Sequence, residues 1–145
     1  MRSLLRVLAV VFLSAGAIGS ARAQVYCAAP WMPLVRTPTN QSTIHVAGGP
    51  AMVNGLRVVV RMQHQCDSDL DIVLVHGDTY LRLSSANGGF GQNYLATRFC
   101  DAAPRAIYEA QAPFAGTFRP EGGELVPFGN ASPLPGTAAP GFGAF

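Results

Sequence analysis

The chain reads as an all-β protein, an antiparallel β-sandwich, and three observations point there. Leu56, Val58, Val60 and Met62 alternate with Arg57, Arg61 and Gln63, a period of two that gives a strand one buried and one wetted face. The alternation returns where Leu70, Ile72 and Leu74 stand opposite Asp69 and Asp71, and again within Thr79 to Leu83 through Leu81 and Leu83. Beyond the first 23 residues no long window carries the 3.6-residue apolar period of a helix, and short strands separated by turn signals are the mark of a sandwich.

The chain opens with Arg2 and Arg6 beside an apolar run from Leu4 to Ile18, closed by Ala21-Arg22-Ala23. A basic start, an apolar stretch and an A-x-A end describe a signal peptide, residues 1–23, cut after Ala23. The run is shorter than the roughly 18–20 apolar residues of a membrane span, so no stable membrane insertion is expected after cleavage. Gln24-Val25-Tyr26 lacks the small residues that would make Cys27 a lipid anchor. Removing the leader takes three arginines and leaves seven against eight acidic residues, a net charge of about −1. The basic balance of the whole chain is therefore a targeting feature and argues for neither nucleic acid nor an anionic membrane as partner. Heavy use of Ala, Gly, Pro and Arg without any lysine fits a GC-rich bacterial genome. The remaining length, about 120 residues, is enough for one domain with a core and too short for two.

Residues 24–42 carry Pro30, Pro33, Pro38 and the only tryptophan, Trp31, and read as an extended lead-in. Strands are expected at 56–63, at 69–74 and at 79–83, the last two joined through Val75-His76-Gly77-Asp78. Ser84 to Asn93 is a loop rich in Ser, Asn and Gly, and Leu95, Thr97 and Phe99 mark a further strand. Ala102 to Arg105 turns the chain, and Ile107-Tyr108 starts a short strand or stays irregular. The domain proper is thus 43–128. In residues 129–145, 11 of 17 are Gly, Ala or Pro, without charge or alternation, so a disordered tail is expected.

Two segments carry the family signal: His64-Gln65-Cys66-Asp67-Ser68-Asp69-Leu70-Asp71-Ile72-Val73-Leu74, and Pro113-Phe114-Ala115-Gly116-Thr117-Phe118-Arg119-Pro120-Glu121-Gly122. Between them lie Gly88-Gly89-Phe90-Gly91-Gln92-Asn93 and Phe99-Cys100-Asp101-Ala102-Ala103. In this order they resemble the P-domain (P/Homo B domain) that follows the catalytic domain in proprotein convertases and in many bacterial subtilisin-like serine proteases. The resemblance covers about Thr43 to Phe128 and implies a jelly-roll-like sandwich. The sequence departs from the pattern at Asp78, where Gly is usual, at Cys66 in place of an aromatic, and at Cys100 in place of an Asp. The family's closing Gly-x-Trp-x-Leu-x-Val-x-Asp strand and one further strand are not found after Phe128, so the sandwich is expected to lack its closing strands and to leave a sheet edge open.

The resemblance implies a calcium site, for which Asp67, Asp69, Asp71, Asn93 and Asp101 are the candidate ligands; Ca²⁺ takes six to eight oxygens, and strand periodicity would put the three alternating aspartates on one face. The competing reading has Asp67 and Asp71 solvated and Asp69 paired with Arg119, an ion pair between the two signature segments. Three cysteines allow three disulfide pairings; Cys66 with Cys100 is favoured because both stand near ends of expected strands. His45, His64 and His76 have neither metal-binding spacing nor the nucleophile and oxyanion donors a triad needs.

The expectation for function is an exported, non-catalytic module, periplasmic or extracellular, that stabilises or regulates a subtilisin-like protease, with that protease or a partner β-strand at the open edge as its partner. The alternatives are a secreted adhesion or ligand-binding sandwich presenting Trp31, Tyr80, Phe90 and Tyr94, and a truncated protease remnant.

Overall fold

The alternating stretches pair with one another as their apolar faces require. A computed structural model describes residues 3–6, 11–13, 23–28, 32–34, 39–48, 53, 55–123 and 136–145, the first two stretches as backbone. The expectations for Trp31 and for residues 129–135 fall outside the described residues. The strands are β1 (Ser3–Arg6), β2 (Val11–Leu13), β3 (Gln24–Tyr26), β4 (Thr39–Gln41), β5 (Val58–Met62), β6 (Leu70–His76), β7 (Thr79–Ser85), β8 (Tyr94–Phe99), β9 (Thr117–Phe118) and β10 (Thr137–Ala138). They form a five-stranded sheet ordered β10-β7-β6-β1-β4, a three-stranded sheet ordered β5-β8-β9, and the ribbon β2-β3. Helical structure among the described residues is confined to three-residue 3-10 turns. The fold is all-β.

The β6–β7 hairpin is antiparallel and runs to the pair His76 and Thr79, so its turn is shorter than the four residues expected. β5 and β8 are antiparallel as well. The remaining ladders of the two larger sheets, β1 to β4, β1 to β6, β10 to β7 and β8 to β9, are parallel. The sheets are therefore mixed rather than purely antiparallel, because β1, β9 and β10 do not join their neighbours through hairpins.

Val58, Val60 and Met62 of β5, Leu70 and Ile72 of β6, and Leu81 and Leu83 of β7 meet Tyr94 and Phe99 of β8 in one core. Phe114 and Phe118 complete it from the segment that runs along β8, where Leu95, Arg98 and Cys100 donate their backbone N–H to the carbonyls of Phe114, Gly116 and Phe118. The Phe114 ring lies 4.7 Å from that of Tyr94 and 6.4 Å, edge-on, from that of Phe118, within the range where aromatic pairs attract.

A bulge changes the phase of β8. Two residues, Leu95 and Ala96, stand against the single Arg61 between the pairs Val60–Thr97 and Met62–Tyr94, and Ala96 has φ +52°. The extra residue lets Tyr94 and Thr97 both face inward and turns Leu95 outward, 49% exposed. The expected inward position of Leu95 is thus corrected. A second bulge, between Ile72 and Val73, leaves Leu83 without an opposite residue on β6, and both Leu83 and Ser84 are buried.

The tail also differs from expectation. Residues 136–145 form β10 and a 3-10 turn at Phe142–Ala144, with Ala139 and Phe142 in the core. Thr137 and Ala139 donate to the carbonyls of Asp78 and Tyr80, while Glu121 and Gly122 donate to those of Leu83 and Arg82. Two short segments thus lie along the β7 edge of the sheet, so that this edge is not left open. A composition of Gly, Ala and Pro conceals this because the apolar burial rests on single residues and not on a pattern.

Phe99→Ala is expected to lower the unfolding free energy by about 3–5 kcal/mol, whereas Leu95→Gln in the same strand should change it by less than about 0.5 kcal/mol. Urea denaturation of the two variants checks this, and equal losses would contradict the bulge at Ala96.

Candidate functional site

The bulge in β7 turns Ser84 into the core and leaves Ser85 opposite Asp71 on the other face of the sheet. Ser85 makes two bonds: its hydroxyl donates to Asp71 Oδ1 at 2.5 Å, and its backbone N–H donates to Glu121 Oε1 at 2.9 Å. The Asn87 amide donates to the same Glu121 oxygen, and Arg82 Nε lies 3.3 Å from Glu121 Oε2. The Asn87 amide also reaches Ser84 Oγ at 2.9 Å, which is bonded in turn to the Tyr94 hydroxyl at 2.9 Å. A polar chain thus crosses the sandwich from Glu121 to Tyr94. Burial raises the Tyr94 pKa, the bond to Ser84 opposes this, and the carboxylates of Asp67, Glu121 and Asp71 add to the rise. Its hydroxyl therefore stays protonated and can donate.

The second arrangement surrounds Asp67. This residue starts a 3-10 turn, Asp67–Asp69, held by Asp67 N–H on the Gly91 carbonyl, Ser68 N–H on the Gly89 carbonyl and Asp69 N–H on the Cys66 carbonyl. Asp67 Oδ1 accepts from the backbone of Asn93 at 3.1 Å, and Asn93 Oδ1 accepts from the backbone of His64 at 3.0 Å. His64 Nδ1 lies 2.8 Å from the Cys66 carbonyl, so His64 acts as a brace for the turn. Gly88 is required here: it has φ +87°, and a Cβ would stand 2.9 Å from the Phe114 ring. Asp67 is fully buried, and its Oδ2 has no hydrogen-bond partner among the described residues. Burial raises its pKa above the ordinary 3.8, opposed by the Asn93 N–H and by His64.

The expected calcium ligands are not brought together. Asp67 and Asp69 belong to a 3-10 turn, where the two-residue alternation of a strand does not apply. Asp71 accepts from Ser85, Asn93 serves His64 and Asp67, and both Asp101 oxygens accept the backbone N–H of Phe142, at 3.1 and 2.9 Å. Among the described residues no three acidic, His or Cys groups gather as a metal-binding set. As placed, the five residues do not fit a calcium site.

Three further expectations are corrected. Cys66 and Cys100 are free thiols. Cys66 lies 3.5 Å from the Gly89 carbonyl, near the start of β8, whereas Cys100 follows its end. A strand of six residues separates them, about 20 Å at some 3.3 Å per residue, and a disulfide spans about 6 Å between Cα atoms. Asp69 forms no ion pair among the described residues; the Arg119 guanidinium instead donates to the carbonyls of Ala103 and Pro104 at 3.0 and 2.8 Å. Tyr80 and Tyr94 are buried and cannot belong to an aromatic contact surface; among the described members of that set this leaves Phe90, 95% exposed, on the Gly-rich loop. Tyr108, which that set did not include, is 62% exposed.

A cleft of about 530 Å³ opens beside Tyr108, lined also by Asp101, Arg119, Glu121, Pro140 and Ala144. Glu121 and its donors Ser85 and Asn87 are what sequence reading missed. Glu121 stood inside a quoted segment, but its partners on β7 and the following loop have no fixed spacing to it, so only the fold could reveal them. Comparison with known proteins gave no match to a family model, to a curated protein or to a solved structure.

Glu121→Ala should destabilise the protein by about 2 kcal/mol, since it strands donors that now meet a charged acceptor. Ser68→Ala, at an edge of the turn, should cost less than about 0.5 kcal/mol; thermal unfolding of both variants checks the difference. The pH dependence follows from Asp67. A carboxyl with a raised folded pKa favours the protonated state, so its contribution is complete below 3.8 and is lost as pH rises through the folded value. Urea midpoints measured between about pH 4 and pH 7 should fall with rising pH over the part of the range that Asp67 controls, and Asp67→Asn should flatten that part.

Proposed function

We propose that this chain is an exported, non-catalytic module of the P/Homo B kind, acting in the periplasm or outside the cell, that stabilises or regulates a subtilisin-like serine protease. The observation that carries this reading is Ser85. It bonds Asp71 of the first signature segment through its hydroxyl and Glu121 of the second through its backbone. The residues on which the resemblance rests therefore act together as scaffold, which suits a domain whose work is to present a surface to a neighbour. The same reading accounts for the histidines without chemistry. His64 braces a turn, His45 is exposed, and His76 packs 6.1 Å from the Phe145 ring. Ser84, whose hydroxyl is bonded to Tyr94, is buried away from any substrate.

A second reading, a secreted ligand-binding sandwich, is favoured by one observation: exposed Tyr108 borders a cleft that also holds Asp101 and Arg119. Affinity recovery from the secreted fraction separates the two. A co-purifying serine protease is the expected result, and a glycan or surface polymer in its place favours the second. Purified protein that by itself cleaved peptides with a burst sensitive to serine inhibitors would overturn both.

A further inference from the structure

The two strands that precede Ala23 hold the lead-in to the sandwich. β1 lies between β6 and β4, and β2 pairs with β3. If residues 1–23 are a leader, its removal takes β1 out of the middle of the five-stranded sheet. The strand left beside the gap is poorly suited to be an edge. Leu70, Asp71, Ile72 and Val73 are at most 5% exposed, so the run is buried on both faces, the character of a central strand. An unpaired backbone along such a run costs free energy for every buried N–H and C=O that loses its partner.

We propose that cleavage of the leader lets β4 step inward and pair directly with β6. Both strands run parallel to β1, so they already run parallel to each other. Their register is set by the strand that leaves. Leu4 stands opposite both Thr39 and Asp71, Leu5 opposite both Asn40 and Ile72, and Arg6 opposite both Gln41 and Val73. A lateral move of one strand spacing, about 4.8 Å, with a turn of about 20–25° to take up the twist between neighbouring strands, therefore brings Thr39 beside Asp71, Asn40 beside Ile72 and Gln41 beside Val73 without slippage. Directly opposed residues share a face, so Asn40, already buried, keeps the side it has. The Thr39 hydroxyl arrives next to the Asp71 carboxylate, an acceptor for Ser85. The tether also favours β4 over a strand from elsewhere, because an intramolecular segment acts at high effective concentration. The exported form thus has a sheet ordered β10-β7-β6-β4, one strand narrower than that of the full chain.

This inference rests on the leader reading, and the experiment keeps the two apart. The exported protein is sequenced from its N-terminus, and backbone hydrogen exchange is followed in it and in the full chain. With Gln24 as first residue, the amides of Asp71 and Val73, which point away from β7, are expected to exchange within about threefold of their rate in the full chain. Asn40→Pro, which cannot serve a ladder, should speed them by roughly tenfold or more in the exported form and leave the full chain unchanged, where β1 fills the slot. Asn40→Ala keeps the backbone donor and should protect both forms. Fast exchange at Asp71 and Val73 in the unsubstituted exported form overturns the proposal, as does protection of these two amides that survives Asn40→Pro. Protection that grows with protein concentration overturns it in favour of a second copy. An exported chain that still begins at Met1 sinks the leader reading and the proposal with it.

Discussion

The Glu121 carboxylate is the constraint around which the two signature segments and β7 are arranged. Its side chain is 12% exposed, and a carboxyl group so far out of water costs free energy unless hydrogen-bond partners converge on it. Ser85 N–H and the Asn87 amide donate to it, and Arg82 stands beside it as an ion-pair partner, all three from one short stretch. That requirement fixes where the chain after β9 must lie against β7, and Gly122 follows directly. At Gly122 a Cβ would meet the Pro140 carbonyl oxygen at 2.5 Å, so the tail packs against bare backbone there. The seat of residues 136–145 is thus prepared by the clamp. Each layer depends on the one before: carboxylate on β7, glycine on carboxylate, tail on glycine.

The part of the fold that sequence discloses is the part ruled by repetition. Val58, Val60, Leu70, Ile72, Leu81 and Leu83 alternate and are buried, and their strands lie where the alternation puts them. Reading fails at Ala96, where one residue with positive φ reverses the phase and exchanges Leu95 for Tyr94 as the inward neighbour of Thr97. It fails again in the tail, where Ala139 and Phe142 enter the core singly. A period can be recognised only over several turns of it, so a one-residue insertion or a lone buried aromatic leaves no trace.

For the site, the difference lies between residue type and partner. Sequence singled out Asp67, Asp69, Asp71, Asn93, Asp101 and Arg119 as groups that need partners, and the structure gives them different ones. Asp67 serves the Asn93 backbone, Asp101 holds Phe142, and Arg119 takes the carbonyls of Ala103 and Pro104. The supposed convergence of the aspartates assumed a strand at a place where Asp67–Asp69 form a 3-10 turn. The tie between the two signature segments is real in kind, but it runs through Ser85 and Glu121, a serine on β7 and a glutamate in the turn after β9, which no spacing rule connects.

Phe142 also bears on what counts as the smallest portion of this chain that can fold as a unit. A fragment ended at Phe128, where composition would draw the boundary, would lack Ala139 and Phe142 from the core and the backbone donors of Thr137 and Ala139 from β7. It would carry a hollow where an aromatic ring belongs and a bare strand beside it, the combination that makes truncated β proteins stick to one another. Recombinant pieces intended for binding work should therefore keep everything through Phe145.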